Sequence, residues 1–189
     1  MPNHRWRSLA RTVALMPLLV SIAAHASPQE RYVSATVDKD GALRIVTATA
    51  KVIVPDAEPE REFVGKQVGY DDIQISADGQ AVGWVALFPN CCTSYPIPLA
   101  LVVFSSGVKR SYAGAGLPVW RWAFQADGKR VAFEQETVHG GLGIHYELRD
   151  VESGHLVASY EPKVGPDNQP LPNQHVPMWV EQLDAKPKR

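Results

Sequence analysis

Apolar and polar residues alternate with a period of two along most of this chain, and two stretches do so in nearly the same order. In the first, Ile73 and Ile75 alternate with Gln74 and Ser76, Asp78-Gly79 follows, and then Val82, Trp84, Ala86 and Phe88 fall on one face. Ala81, Gly83, Val85 and Leu87 fall on the other. In the second, Trp120, Trp122 and Phe124 share a predicted face, Asp127-Gly128 follows, and Val131 and Phe133 continue the pattern. A period of two predicts strands, and Asp-Gly between two such runs predicts a hairpin turn. The strand over 81–88 is apolar on both faces, so both faces must be covered by further layers.

The remaining elements follow from the same signals. Tyr32–Val37 and Leu43–Val54 read as strands joined across Asp38, Asp40 and Gly41, and 57–67 reads as a charged loop. Leu99–Phe104 and Val108–Tyr112 complete a first group of four strands, turning at Ser105-Ser106-Gly107. Arg130–Gln135, Ile144–Asp150 and Leu156–Tyr160 complete a second group, with its last turn at Glu152-Ser153-Gly154. From Pro162 the chain is rich in proline and is predicted to be an irregular tail. A single helical turn is expected over Met178–Leu183, docking through Trp179 and Leu183. The expected fold is all-β: antiparallel four-stranded sheets stacked as in a partial β-propeller, two clear blades and a weaker N-terminal unit around Asp40-Gly41.

Asp78 and Asp127 lie 49 residues apart, and four strands in about 40–50 residues is the spacing of propeller blades. Ser76, Asp78, Gly79, Val82 and Trp84, with Gln125, Asp127, Gly128, Val131 and Phe133, resemble the blades of TolB-like and WD-repeat-like β-propellers. The run from Tyr146 through Asp150 and Gly154 resembles the strand, turn and strand that end such a blade. The resemblance covers residues 70–162 and implies a fold, whereas activity on such scaffolds is set by individual sites. Two units and a weak third fall short of the four a closed ring requires, which predicts an open stack.

The first 26 residues read as a signal peptide. Arg5, Arg7 and Arg11 precede an apolar run from Val13 to Ala24, and Ala24-His25-Ala26 offers a cleavage site after Ala26. The run is too short for a membrane span, so the expectation is a periplasmic or secreted chain with no membrane anchor after cleavage. Residues 27–162 are then the propeller-like domain and 163–189 the tail. The part after Ala26 holds 16 basic and 20 acidic residues, a net charge of −4. That balance argues against nucleic acid as a partner.

Candidate chemistry sits in two connections. Cys91 and Cys92, with Thr93 and Tyr95, lie between Pro89 and Pro98 where a short hairpin turn would suffice. Adjacent cysteines in an oxidising compartment are candidates for a vicinal disulfide, with a strained ring that stiffens the loop tip. His139 and His145 flank a glycine-rich connection over 138–143 that occupies the corresponding place in the second group. Cys91, Cys92, Thr93, Tyr95, His139 and His145 are therefore the candidate binding residues. Glu136, His139 and the thiols suggest a soft metal, but their spacing matches no established motif, and no metal or cofactor is assigned. No Gly-x-Ser-x-Gly elbow, phosphate loop or paired carboxylate set is present, so no catalytic residue is assigned. The aromatic set of Trp84, Trp120, Trp122, Phe124 and Phe133 would suit a sugar platform, but alternation assigns most of it to the core. The expected function is an exported, non-catalytic binding module contacting an envelope protein, or itself, through the 89–98 and 138–143 loops. The alternative is a redox-responsive or metal-handling protein centred on Cys91 and Cys92.

Overall fold

A computed structural model describes residues 30–91, 94–113, 116–138, 143–166 and 171–187. The fold is all-β, with three antiparallel sheets and none closed into a barrel. The N-terminal sheet holds β1 (Tyr32–Val37), β2 (Leu43–Thr47) and β3 (Val52–Ile53). The middle sheet is a meander of β4 (Gly69–Ile75), β5 (Ala81–Phe88), β6 (Ile97–Ser105) and β7 (Val108–Tyr112). The third is a meander of β8 (Val119–Phe124), β9 (Arg130–Gln135), β10 (His145–Asp150) and β11 (Leu156–Tyr160). One helix, α1 (Met178–Asp184), follows. The strand expected over 43–54 is broken in two by a turn. Thr47 Oγ1 accepts the Lys51 N–H at 3.2 Å and Ala50 takes a φ of +62°. A threonine hydroxyl offers the backbone this alternative to the ladder, and a hydropathy pattern does not register it.

The two Asp-Gly turns are built alike. Gly79 N–H donates to Ser76 O at 2.8 Å and Gly128 N–H to Gln125 O at 2.9 Å. Asp78 Oδ1 accepts the Gln80 N–H, and Asp127 Oδ1 the Lys129 N–H, each at 3.0 Å. Both glycines sit at positive φ, +72° and +67°. The turns also touch: a Cβ on Gly128 would lie 2.7–2.8 Å from the Asp78 carboxylate. They therefore share one end of the molecule, and β5 and β9 both run away from it. Tyr32 N–H donates to Gly79 O at 2.8 Å, so β1 starts at this same end. Six residues of strand span about 20 Å, which carries the Asp38–Ala42 turn to the opposite end. The Asp40-Gly41 turn of the weaker N-terminal unit therefore lies at the other end from the two matching turns. By direction, β1 corresponds to the second strand of a four-stranded sheet rather than the first.

The layers meet through three apolar clusters. Val82, Trp84, Ala86 and Phe88 face Tyr32, Leu43 and Ile45 of the N-terminal sheet. Ala81 and Val85 face Val119, Trp122, Val131 and Phe133 of the third sheet. β5 is thus covered on both faces, as its pattern required. Gly83 lets the sheets close: a Cβ there would meet Trp122 Cη2 at 2.5 Å and Cζ3 at 2.8 Å. The far face of the third sheet, with Ala132, Tyr146 and Leu148, is capped by Val180 and Leu183 of α1. The docking pair is Val180 with Leu183, while Trp179 is only partly buried at the margin. A second difference concerns β8. A bulge between Val119 and Arg121 shifts its register, so Val119 and Trp122 share a cluster and Trp120 leaves the expected face.

Candidate functional site

The end opposite the Asp-Gly turns, here the distal end, collects the long connections. β4 begins there, since Gly69 pairs with Leu87 near the end of β5. The 89–96 connection leaves β5 there, and the connection after Gln135 leaves β9 there. Gln135, fully buried, locks the link between the two four-stranded sheets at this end. Its Nε2 donates to Ala113 O at 2.9 Å and to Leu117 O at 2.7 Å.

A small hairpin stands beside the cysteine loop. Arg61 N–H donates to Gly65 O at 3.0 Å, Gly65 N–H returns to Arg61 O at 2.8 Å, and the Arg61 guanidinium lies 4.7 Å from the Phe88 ring centroid. A Cβ on Gly65 would contact Pro89 at 3.9 Å, which places this hairpin against the start of the 89–98 loop. At its tip Phe63 is 95% exposed with a φ of +64°. Tyr95 is 77% exposed, and Val68 and Val138 also present apolar surface at this end.

Of the sequence-predicted residues, Cys91 and Tyr95 are exposed on this surface. Cys91 has no disulfide partner among the described residues. Cys92, Thr93 and His139 lie outside the described residues. His145 opens β10, its Nδ1 2.9 Å from Glu161 Oε1 and its Nε2 3.1 Å from Glu147 Oε1. Arg149 Nε donates to the other oxygen of Glu147 at 2.6 Å. His145 is thus a strut between two carboxylates at the sheet margin. Among the described residues no group of three His, Cys, Asp or Glu side chains is placed to hold a metal ion, and no helix is long and apolar enough to cross a membrane.

Sequence reasoning missed Phe63, because the charged run from Glu58 to Lys66 reads as solvated loop. The one signal available was a lone aromatic inside that run, two residues before a glycine. No protein-family model matches this chain, and no curated protein is similar to it.

Proposed function

We propose that this chain is an exported, non-catalytic binding module of the cell envelope that captures a protein partner at its distal end. The partner surface comprises the 89–98 loop, the 138–143 connection and the Phe63 hairpin. The observation that carries this reading is Phe63. A bulky side chain at positive φ costs about 1–2 kcal/mol relative to the right-handed region, and a fully exposed aromatic ring gains nothing from burial in return. Backbone strain retained at an exposed tip motivates a role outside the monomer. An aromatic anchor entering a pocket on a partner is the common form of that role. Export rests on the Arg5, Arg7 and Arg11 segment with its apolar run. The blade reading of the two meanders rests on their matching strand order and turns. In this reading the Cys91-Cys92 pair forms a vicinal disulfide that stiffens the loop tip.

Phe63→Gly and Tyr95→Ser test the proposal together. Glycine removes the strain at position 63, so Phe63→Gly alone should unfold no earlier than the native chain, and the double variant is compared with it at a temperature where both are folded. Recovery of the crosslinked partner from the exported fraction should nevertheless fall by about tenfold, the loss of about 1.4 kcal/mol of binding. Unchanged recovery would overturn the reading. Thiol titration before and after reduction reads the cysteine pair, and two thiols already reactive without reductant would remove the ring.

A further inference from the structure

The first strands of the two four-stranded sheets, β4 and β8, are edge strands. A cleft of about 470 Å³ opens along them, lined by Asp72, Gln74, Trp120, Arg121, Trp122 and Lys186. That volume lies within the range of small-ligand sites, about 300–1,000 Å³. Both strands depart from regular pairing beside it. β4 bulges between Asp71 and Gln74, with Asp72 at a φ of +45°, and β8 bulges between Val119 and Arg121. Bulges re-aim side chains and are frequent next to binding sites. Gln74 Nε2 donates to Trp122 O, and Lys186 Nζ to Gln74 Oε1, each at 3.5 Å. The segment after α1 thus supplies a third wall.

The walls define what fits. Trp120 is half-buried, and its indole N–H already donates to Glu136 O at 3.0 Å. What it offers the cleft is therefore ring carbon. Arg121 is spent on the protein: it pairs with the buried Glu134 carboxylate, and with Asp184 Oδ1 at 2.9 Å. It also donates to Asp184 O at 3.1 Å and Lys186 O at 3.4 Å. Burial works against its charge, but Glu134 and Asp184 outweigh that and hold its pKa above the ordinary value. Arg121 is scaffold. Counting the cleft with the groups Arg121 touches gives Arg121 and Lys186 against Asp72, Glu134 and Asp184. That is no field for an anion, and Lys186 in the wall opposes a cation.

We propose that this cleft binds an uncharged oligosaccharide, with Trp120 as the stacking platform and Gln74 and Lys186 as hydrogen-bonding walls. A pyranose ring has an apolar C–H face that matches aromatic carbon, and a rim of hydroxyls that both donate and accept. The mixed amide, ammonium and carboxylate rim of the cleft can answer both. Burial lowers the Lys186 pKa, so a hydroxyl acceptor there replaces solvation that the ammonium has partly lost. The site uses none of the distal loop residues, so it stands or falls apart from the partner reading.

Isothermal titration of the full chain with cellotetraose, chitotetraose and tetragalacturonate tests it. At least one neutral tetramer should bind saturably and more tightly than the charged one. Trp120→Ala should weaken that binding about tenfold, and Trp120→Phe, which keeps a ring, less than about threefold. If Trp120→Ala fails to fold, Gln74→Ala and Lys186→Ala probe two walls of the same cleft, and both must weaken binding. Absence of binding by either neutral tetramer, preference for tetragalacturonate, or wall variants that bind like the native chain would each overturn the proposal.

Discussion

Gly83→Ala isolates the contact that lets the two four-stranded sheets stack. The added methyl would lie 2.5 Å from Trp122 Cη2, 2.8 Å from Cζ3 and 3.3 Å from Phe124 Cζ. Carbon atoms prefer about 3.5–4.0 Å, so the sheets must part by about 1 Å or the indole must turn. The indole has nowhere to go: Trp122 is 1% exposed and packs edge-on against Phe124 at 5.2 Å between centroids. Overpacking of this kind costs about 1–3 kcal/mol. Alanine in place of a strand glycine would otherwise gain about 0.5–1 kcal/mol from the unfolded chain. The two effects oppose each other, so the sign of the change decides between them. We expect a net loss of about 1–2 kcal/mol by urea denaturation, a drop of about 2–8 °C in Tm. Phe at position 122 lacks the distal ring carbons, so Gly83→Ala should cost at least about 1 kcal/mol less in a Trp122→Phe background. A Gly83→Ala chain as stable as the native one, or more so, would refute the stacked arrangement.

Other consequences are more local. Gly128→Ala adds a methyl at a φ of +67° and 2.7–2.8 Å from the Asp78 carboxylate. It should cost about 2 kcal/mol or more in denaturant unfolding, whereas Gly41→Ala at a φ of +80° in open space should lose only the backbone contribution. Arg121→Met removes the guanidinium paired with the buried Glu134 carboxylate, and the expected loss is about 3–5 kcal/mol. Adding Glu134→Leu should restore much of it in the same assay. Acid unfolding follows the turn aspartates. The Ala42 N–H, aided by Arg44, lowers the Asp38 pKa below the ordinary 3.8, and the Ser153 hydroxyl and N–H do the same for Asp150. Each folded pKa lies below the unfolded one, so the unfolded chain binds more protons as pH falls. Their contribution is complete above the ordinary aspartate pKa and is lost as pH drops through the folded values. Stability measured from pH 5 downward should thus fall less steeply in the Asp38→Asn, Asp150→Asn double variant.

The layers were legible because β5 is apolar on both faces, a pattern that only a three-layer arrangement satisfies. The matching turns were legible because Asp78-Gly79 and Asp127-Gly128 carry their own hydrogen-bonding chemistry. Other features escaped. Trp120 left the face it was expected to share with Trp122 and Phe124 because it is the extra residue of the bulge between Val119 and Arg121, and no residue type announces a bulge. The position of the Asp40-Gly41 turn depended on which end β1 starts from, and that is decided by the Tyr32–Gly79 backbone bond. The Arg121–Glu134 pair became visible only once the register of β8 against β9 placed the two side chains opposite each other. At the distal surface, the exposure of Tyr95 follows from its proline-bounded loop, while Phe63 was hidden among charges. Its positive φ is backbone strain, which sequence patterns do not report.

The partner-capture reading is tested most directly by placing a photoreactive side chain at Tyr95 and, in a separate chain, at Lys129 beside the Asp-Gly turns. The distal position should yield a discrete crosslinked protein in the exported fraction that the turn position does not. Equal yields from both ends, or a product only from position 129, would contradict it.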